Sequence, residues 1–336
     1  MAKKISMQDV ANHVGVSKVT VSKALRGNED ISAAMSEKVR KAAAEIGYVY
    51  NVTGKMLREN LTYSIGVITS ERYFGLDDYF YISLYKFLSA DLEKIHYSAI
   101  LHILDETSEQ NVTIPGMITE QKVDGVIILG QLSKEYITKI VALNCPMVFL
   151  DFYYDRFDVD SINTDNFFGT YEITNTLIEK GHRNIAFVGN LNLTSSIQDR
   201  YLGYCKSMLE YKLPMKNEWI VSDRTDESKW IDIKLPKDMP SAFVCNCDKT
   251  AQKLVAKLQK IGYKVPDDCS VVGFDDSIHA VQIVPNITTV RVNLDEMAKV
   301  AVKTITRRIS NEVSNYGRVL IKGDVIIRDS VKSIEN

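Results

Sequence analysis

Four polar residues near the amino terminus are spaced in a way that suits contact with a polyanion. The eight-residue stretch KVTVSKAL carries ammonium or hydroxyl groups at Lys18, Thr20, Ser22 and Lys23. Side chains of these types donate hydrogen bonds to phosphate oxygens and to the edges of bases. The stretch is therefore a candidate for binding nucleic acid.

The thiols and imidazoles do not form a catalytic or metal-binding pattern. The chain has an odd number of cysteines and no CxxC pair, which is typical of free thiols in a reducing compartment. The cysteines are Cys145, Cys205, Cys245, Cys247 and Cys269. No histidine has the spacing of a metal ligand, and His182 follows a helix stop at Gly181 with no nucleophile beside it. We expect no metal site and a structural role for His182.

Motifs for cofactors and for catalysis are also missing from the sequence. No GxGxxG follows a strand-like segment, and neither a phosphate-binding GK[ST] nor a GxSxG occurs. The start MAKKISMQDV runs directly into helical patterning, so we expect no signal peptide, and the apolar runs are too short to span a bilayer. These features predict a cytoplasmic protein that is not an enzyme and needs no cofactor.

Short helices are predicted to position the polar stretch. Ser6 can cap a first helix whose apolar residues recur at i, i+3, i+4 and i+7 within Met7–Val14, and Gly15 can end it. Ser17 can cap the second helix, and a third is expected between residues 32 and 47. A helix-turn-helix of this kind places its second helix in the major groove of DNA. A three-helix bundle without nucleic acid is the alternative.

The charges are distributed unevenly along the chain. The net charge of the 336 residues is −2, but residues 1–60 hold ten Lys/Arg against six Asp/Glu. A basic segment attached to an acidic remainder favours a polyanion-binding head, although a solvated surface would have the same composition. The length is too great for one compact core and suits two or three domains.

The stretch 7–51 resembles the headpiece of the lac repressor (LacI/GalR) family almost position for position. The motifs DVA, GVS, TVS, Leu-x-Gly and EIGY-x-x-N lie where the family has them. The positions that this resemblance assigns to base edges are Lys18, Val19 and Lys23. Those that it assigns mainly to phosphates are Ser17, Thr20 and Ser22. Lys23 could donate to guanine, whereas Val19 offers only an apolar contact, for example with a thymine methyl group.

Residues Asn51–Leu57 (NVTGKML) resemble the hinge helix of the same family, N-x-x-A-R-x-L. The resemblance implies that Asn51 and Lys55 contact DNA and that two copies of Leu57 wedge open a central base step in the minor groove. Gly54 weakens such a helix by about 1 kcal/mol, and Lys55 lacks the planar fork of arginine. We expect a hinge that folds only on DNA; a bare linker is the alternative.

After residue 60 the pattern changes to short apolar strands that alternate with helices. The predicted strands are Ser64–Thr69, Ser98–Leu104, Gly125–Leu129, Met147–Leu150, Ile185–Val188, Ala242–Asn246 and Val271–Phe274. The predicted helices include Phe80–Ile95, Phe168–Lys180, Arg200–Tyr211 and Thr250–Ile261. This alternation is typical of doubly wound parallel sheets, which bind ligands beyond the carboxyl ends of their strands.

The body also resembles the effector domain of the lac repressor family, which shares its fold with periplasmic sugar-binding proteins. The stretches that carry the resemblance are VDGVII, IEKGHRNIAFVG, RYLGY, GYKVPDDCSVVGFDDS and PNITTVRVNLDEMAKVAV. The expected division is a head at 1–49, a hinge at 50–61 and an effector-binding, dimerising body at 62–332. The resemblance implies two α/β lobes, each with a doubly wound parallel sheet. Lobe one is expected at 62–162 plus 291–321, and lobe two at 165–287 plus 324–332.

The resemblance assigns effector binding to polar residues at strand ends. Arg200 occupies the arginine of R-x-x-G-[YF], Asn246 ends a strand, and Asp275 lies in GFDD. Planar donors and acceptors of these types suit a neutral polyol. Structural roles are open for each: an ion pair for Arg200, a turn for Asn246 and a helix cap for Asp275. Further candidates are Asp165 and the ring-stacking Tyr73, Phe74 and Trp230.

The implied function is a homodimeric, sugar-responsive repressor that binds a palindromic operator in double-stranded DNA. A mono- or oligosaccharide would change the angle between the lobes and thereby the spacing of the two hinges. The first alternative is a regulator of the same build that responds to a purine or to a protein co-repressor. The second, from another class, is a sugar-binding protein in which the basic head is incidental.

Substitution Leu57→Ala is expected to weaken binding to a palindromic fragment more than binding to random DNA. The reason is that the leucine wedge needs a deformable central base step, whereas phosphate contacts do not depend on sequence. Fluorescence anisotropy with the two duplexes at one salt concentration measures both affinities. An equal loss on both duplexes would contradict the hinge assignment.

Overall fold

The computed structural model describes residues 5–25, 30–48, 59–75, 79–311 and 316–334. The chain separates into two compact units, residues 1–62 and 63–336, each of which is described by itself. Within the described residues no helix is both long and apolar enough to cross a membrane.

The amino-terminal unit consists of three helices. They are α1 (Met7–Val14), α2 (Lys18–Leu25) and α3 (Ala33–Glu45). Ser6 and Asp9 form a reciprocal capping box at the start of α1. Gly15 ends α1 with a φ of 79°, a left-handed conformation that glycine adopts without steric cost. The predicted helix-turn-helix is confirmed.

A small apolar core holds the three helices together. Val10 of α1, Val21 of α2 and Val39 of α3 are fully buried in one cluster with Ala24. Since Val21 and Ala24 face this core, the polar residues of α2 lie on its other side. The spacing of apolar residues thus leaves the predicted reading helix with an open face.

The larger unit contains two parallel sheets, as the strand–helix alternation predicts. The first sheet has the strand order β11-β5-β4-β3-β1-β2 and the second has the order β7-β6-β8-β9. Strands of the first sheet are β1 (Ser64–Ser70), β2 (Ser98–Leu104), β3 (Gly125–Leu129), β4 (Met147–Leu150), β5 (Asp160–Thr164) and β11 (Arg318–Ile321). Strands of the second sheet are β6 (Ile185–Val188), β7 (Ile220–Val221), β8 (Ala242–Cys245) and β9 (Ser270–Val272).

Helices cover the faces of both sheets, which is why the central strands read as uninterrupted apolar runs. Every residue of β3, β4, β6 and β8 is buried. The helices around the first sheet are α4 (Tyr79–Lys94), α5 (Glu106–Gln110), α6 (Gly116–Thr119), α7 (Lys134–Val141) and α11 (Leu294–Ile309). Those around the second are α8 (Asn166–Glu179), α9 (Ser195–Glu210) and α10 (Asp248–Lys260).

Three chain segments run between the two sheets. The first is the turn from β5 into α8, where the amide of Asp165 donates to the carbonyl of Ile321 (2.8 Å). The other two contain β10 (Thr289–Arg291) and β12 (Asp324–Ile326), which pair antiparallel to each other. This antiparallel ribbon has no counterpart in the predicted strands, because three-residue strands are too short to show a period.

Helix α9 begins five residues earlier than the predicted start at Arg200. Thr194 caps it by accepting a hydrogen bond from the amide of Ile197 (3.2 Å). The polar run Ser195–Asp199 concealed this start, because it lacks the apolar period on which the prediction relied. The first turn of α9 therefore presents Ser195 and Ser196 toward the first sheet's side of the molecule.

Helices α8 and α9 pack closely because Gly203 has no side chain. A Cβ at this position would lie 2.1 Å from the carbonyl oxygen of Phe167 and 3.0 Å from the amide nitrogen of Tyr171. Both obstacles are backbone atoms, so they cannot rotate away. The close approach places the amino-terminal half of α9 against the start of α8.

Substitution Gly203→Ala is expected to lower the free energy of unfolding by about 2 kcal/mol through overpacking. Urea titration followed by circular dichroism measures the loss. Gly75→Ala is the matched control, since a Cβ at Gly75 meets no atom within 4 Å. Equal stability of the two variants would refute the close-packing interpretation.

Candidate functional site

The polar residues predicted on the second helix lie on the accessible side of α2. Ser17, Lys18 and Val19 are exposed, and Thr20 is half-buried. Val19, a β-branched apolar side chain, is 65% exposed. A side chain of this kind is suited to an apolar contact with a groove.

The same residues also make local contacts within the head. The hydroxyl of Ser17 caps α2 by accepting a hydrogen bond from the amide of Thr20 (3.0 Å). Half-buried Lys23 pairs with Asp30 at 2.9 Å, and Ser22 is half-buried beside it. Exposed ion pairs of this type contribute at most about 1 kcal/mol, so Lys23 can exchange Asp30 for another anion. The hinge candidates Asn51, Lys55 and Leu57 lie outside the described residues.

The larger unit contains a polar cavity of about 120 Å³ between the two sheets. Its lining comes from the segments that follow strands of both sheets, the position where parallel sheets bind ligands. From the first sheet's side it is lined by Tyr73, Phe80, Tyr81, Gln131 and Asp151. From the second sheet's side it is lined by Thr194, Ser196, Ile197, Arg200, Arg224, Asn246, Cys247 and Asp275.

Four of the seven predicted effector-binding residues meet in this cavity: Tyr73, Arg200, Asn246 and Asp275. Trp230 lines a neighbouring cavity of about 70 Å³, which shares Arg224 and Asp275 with the first. The two remaining candidates, Phe74 and Asp165, line neither cavity.

Phe74 and Asp165 have structural surroundings instead. The carboxylate of Asp165 caps α8 by accepting a hydrogen bond from the amide of Phe168 (3.0 Å), as aspartate commonly does at a helix start. Phe74 packs against the large apolar core of the body. The structure places neither residue in the cavity lining, and their role in effector binding stays a prediction.

Arg200 is buried and fully engaged at the floor of the cavity. Its Nη2 lies 3.2 Å from a carboxylate oxygen of Asp275, and its Nε donates to the side-chain oxygen of Asn166 (2.8 Å). Its Nη1 donates to the carbonyl of Asn246, and its Cζ lies 3.8 Å from the ring centroid of Phe274. Arg200 thus forms the ion pair that the sequence analysis left open as an alternative, and both members of the pair line the cavity.

Asp275 adopts a strained backbone conformation. Its φ is 107°, outside the regions that side chains other than glycine ordinarily occupy. The amide donates to the carbonyl of Val290 (2.8 Å), which ties the residue to the segment between the sheets. Strain of this kind persists where the surroundings impose it, and it concentrates at ligand sites and switches.

A polar network behind Asn246 was missed by sequence reasoning. Fully buried Asp223 accepts hydrogen bonds from Thr250 (2.6 Å), Arg224 (2.7 Å) and Asn246 (2.8 Å). Burial would raise the pKa of Asp223, but Arg224 and these hydrogen bonds hold it below its ordinary value. The side-chain amide of Asn246 is thus used structurally, while its position still borders the cavity.

Asp151 is the second residue that sequence reasoning missed. It directly follows β4, and one carboxylate oxygen accepts a hydrogen bond from the hydroxyl of Tyr81 (2.8 Å). The other oxygen is buried without a hydrogen-bond partner among the described residues. Burial raises the pKa of Asp151 to about 6, against the opposing effect of Arg200. A rule that considers every polar residue after a strand would have found it.

Hydrogen bonds join the two sides of the cavity through the first turns of α9. The amide of Ser195 donates to the side chain of Gln131 (2.9 Å), and the hydroxyl of Ser196 donates to the carbonyl of Asp151 (3.1 Å). Tyr153 donates to Asp199 (3.0 Å). The relative position of the two sheets is therefore coupled to the cavity lining.

No metal centre is found among the residues that the structure describes, since no three His, Cys, Asp or Glu side chains are close enough to share an ion. The cavity is instead lined by a carboxylate residue with one unpartnered oxygen, by the Arg200–Asp275 ion pair and by aromatic rings. Such a lining can bind an uncharged or charged polar molecule by hydrogen bonding and ring contact.

Each of the two units contains a segment that matches the model of a known protein family. Residues 6–51 match the model of bacterial regulatory proteins of the lacI family, and residues 174–331 match a periplasmic binding protein-like domain. The ribose operon repressor of Haemophilus influenzae is 26% identical over 98% of this chain and 99% of its own length. The HTH-type transcriptional repressor PurR of Vibrio parahaemolyticus is 27% identical over the same shares.

Solved structures share the whole architecture. A complex of the transcriptional regulator CelR with cellobiose has a TM-score of 0.71 and 23% identity, over 97% of this chain and 99% of that one. The lac repressor dimer bound to operator and the anti-inducer ONPF has a TM-score of 0.69 and 23% identity, over 98% and 100%.

The helix-turn-helix unit and the two-sheet body with its interior cavity define a DNA-binding transcription regulator with a ligand-binding domain. Residues 6–51 match the lacI family of bacterial regulatory proteins, and relatives that are named as repressors align with nearly the whole chain at 26–27% identity. The resemblance found in the sequence is therefore confirmed at the level of the family and the fold.

Substitution Asp151→Asn is expected to stabilise the protein by about 2 kcal/mol at pH 8. Because the folded-state pKa lies above the ordinary value, the wild-type carboxylate costs stability above about pH 6, and this cost disappears toward pH 4. The advantage of the variant should therefore shrink as the pH falls from 8 to 5. Urea unfolding at several pH values measures it.

The exposed Asp155→Asn variant is the control and should follow the wild-type curve. Parallel curves for Asp151→Asn and the wild type across this range would show that Asp151 is not an uncompensated buried charge.

Proposed function

We propose that the protein is a homodimeric repressor of carbohydrate-utilisation genes, controlled by a sugar bound between the two lobes of its body. The observation that carries this proposal is Asp151, a residue with one buried, unpartnered carboxylate oxygen, which lines the interior cavity together with Arg200 and Asp275. A buried acceptor without a donor favours a ligand rich in hydroxyl groups.

In this proposal α2 reads DNA. Lys18, Val19 and Lys23 face base edges in the major groove, and exposed Val19 supplies an apolar contact. Ser17, Thr20 and Ser22 contact phosphates, and the hinge residues Asn51, Lys55 and Leu57 enter the minor groove. The role is binding, not catalysis, and it is exercised in the cytoplasm on a palindromic operator.

The proposed domains are a head at 1–49, a hinge at 50–61 and a body at 62–332. Within the body, lobe one comprises 62–162 plus 291–321 and lobe two comprises 165–287 plus 324–332. The sheet memberships of β1–β5 with β11, and of β6–β9, support this division. Dimerisation is supported by β2, an edge strand on which Ile100 and Ile103 are 36% and 44% exposed.

Sugar binding and DNA binding are coupled through the angle between the lobes. A ligand that bridges Asp151 on one side and Asp275 on the other favours one angle, and the population shifts by the difference in its affinity for the two states. The relatives named for ribose and the neighbour solved with cellobiose support a sugar. A purine is the alternative effector, so nucleobases belong in the ligand screen.

Substitution Asp275→Asn is expected to leave operator binding unchanged and to weaken effector binding about 100-fold, because a half-buried acceptor of ligand hydroxyls becomes a poorer one. Asparagine tolerates a positive φ nearly as well as aspartate, so the backbone at 107° is retained. Asp275→Ala should abolish the response. Gel shifts of a palindromic fragment, with and without sugar, measure both properties.

Asp295→Asn, on the surface of α11, is the control and should respond as the wild type does. A full sugar response in Asp275→Ala would contradict the site. Equal binding of all duplexes by the wild type, with or without sugars and nucleobases, would contradict the regulator itself.

A further inference from the structure

We propose that the effector is an anionic sugar, a hydroxyl-rich ring that carries a carboxylate or a phosphate. This inference rests on the proposed function and specifies the class of ligand. The cationic group of side chains that would hold the anion consists of Arg224, Lys249 and Lys253, gathered around Trp230; we call it the cationic cluster.

The cationic cluster borders the second cavity, which continues the first. Both cavities share Phe80, Arg224, Cys247 and Asp275. Trp230 and Lys249 line only the second cavity, whereas Asp151 and Arg200 line only the first. We therefore call the first cavity, of about 120 Å³, the inner chamber of the cleft and the second, of about 70 Å³, its outer end; the two differ in the charged groups that line them.

Three cations lie close to one indole ring in the cationic cluster. The Cζ of Arg224 is 4.1 Å from the ring centroid of Trp230, and the ammonium nitrogens of Lys253 and Lys249 are at 4.9 Å and 5.4 Å. The face of the ring attracts each cation. The cations nevertheless repel one another, and an anion placed among them would relieve this repulsion.

The charge of the two lysines is not compensated by a carboxylate. Arg224 pairs with Asp223 at 2.7 Å, and Arg200 pairs with Asp275 at 3.2 Å, so these charges balance in the inner chamber. Within the described residues, neither Lys249 nor Lys253 has an ion pair within 4 Å. The excess positive charge of the cleft therefore lies at its outer end, on a half-buried and an exposed side chain.

The inner end of the cleft, at Asp151, favours a hydrogen-bond donor and disfavours an anion. The unpartnered oxygen of Asp151 is buried there, the residue being only 7% exposed. It needs a hydrogen-bond donor, and as a carboxylate it repels anions. A ligand with hydroxyl groups at one end and a negative charge at the other satisfies both ends in a single orientation.

The test uses isothermal titration of the full-length protein with matched triplets of sugars. Each triplet contains a neutral sugar, its 6-carboxylate and its 6-phosphate: glucose, glucuronate and glucose 6-phosphate, and the corresponding galactose compounds. Inorganic phosphate is the control for binding of the anion alone. We expect an anionic member to bind at least about tenfold more tightly than its neutral parent, and the better anion distinguishes carboxylate from phosphate.

The double variant Lys249→Gln/Lys253→Gln should lose this tenfold preference and keep the affinity for the neutral parent. Lys260→Gln, an exposed lysine in the last turn of the same helix, should keep the preference. Unfolding temperatures of both variants equal to the wild type exclude loss of folding.

The outcomes separate the two proposals. A neutral parent that binds as tightly as its anions, or a preference that survives in the double variant, overturns the anionic effector and leaves a sugar-responsive regulator standing. Inorganic phosphate that binds as tightly as the sugar phosphates also overturns it. Failure of every sugar to bind contradicts the proposed function and this inference with it.

Discussion

The guanidinium group of Arg200 is the buried charge around which the cleft is built. A buried charge is tolerated only when partners surround it, and here the partners come from separate parts of the second lobe. Asn166 begins α8, Asn246 follows β8, and Asp275 follows β9. Satisfying one side chain on α9 therefore fixes the carboxyl end of the sheet, and with it the wall of the cavity. The strained backbone of Asp275 is a consequence of this fixed arrangement.

Some buried charges of the cleft are fully hydrogen-bonded and others are not. We assign a structural role to the first kind and a ligand-binding role to the second. Asp223 is fully buried, but three side chains and the amide of Asn190 donate to it and hold it as a stable carboxylate. Asp151 is buried with one oxygen satisfied and one bare. A protein selected only for stability would replace such a group, because the uncompensated carboxylate opposes folding. Its presence beside Arg200 is consistent with a site whose missing partner is brought by a ligand.

The fold and part of the candidate site could be predicted from the sequence. Strand and helix alternation located both sheets, because parallel strands buried on two faces leave long apolar runs. Arg200, Asn246 and Asp275 were reached through motif resemblance. Asp151 was missed although it follows a predicted strand, and Arg224 was missed because it lies in an irregular stretch between short strands. Asp165 lies at a helix cap outside the cavity lining, a position that the sequence could not distinguish from a ligand contact, because both use the same residue type.

The segments that run between the sheets are hydrogen-bonded to one another. Asp165 is joined to Ile321, and β10 is paired with β12, where Gly323 brings the backbone close to the carbonyl of Arg291. Independent connectors would let the lobes slide, splay or twist separately. Connectors that are hydrogen-bonded to one another restrict these separate motions, so the free energy of filling the cleft is spread over fewer degrees of freedom.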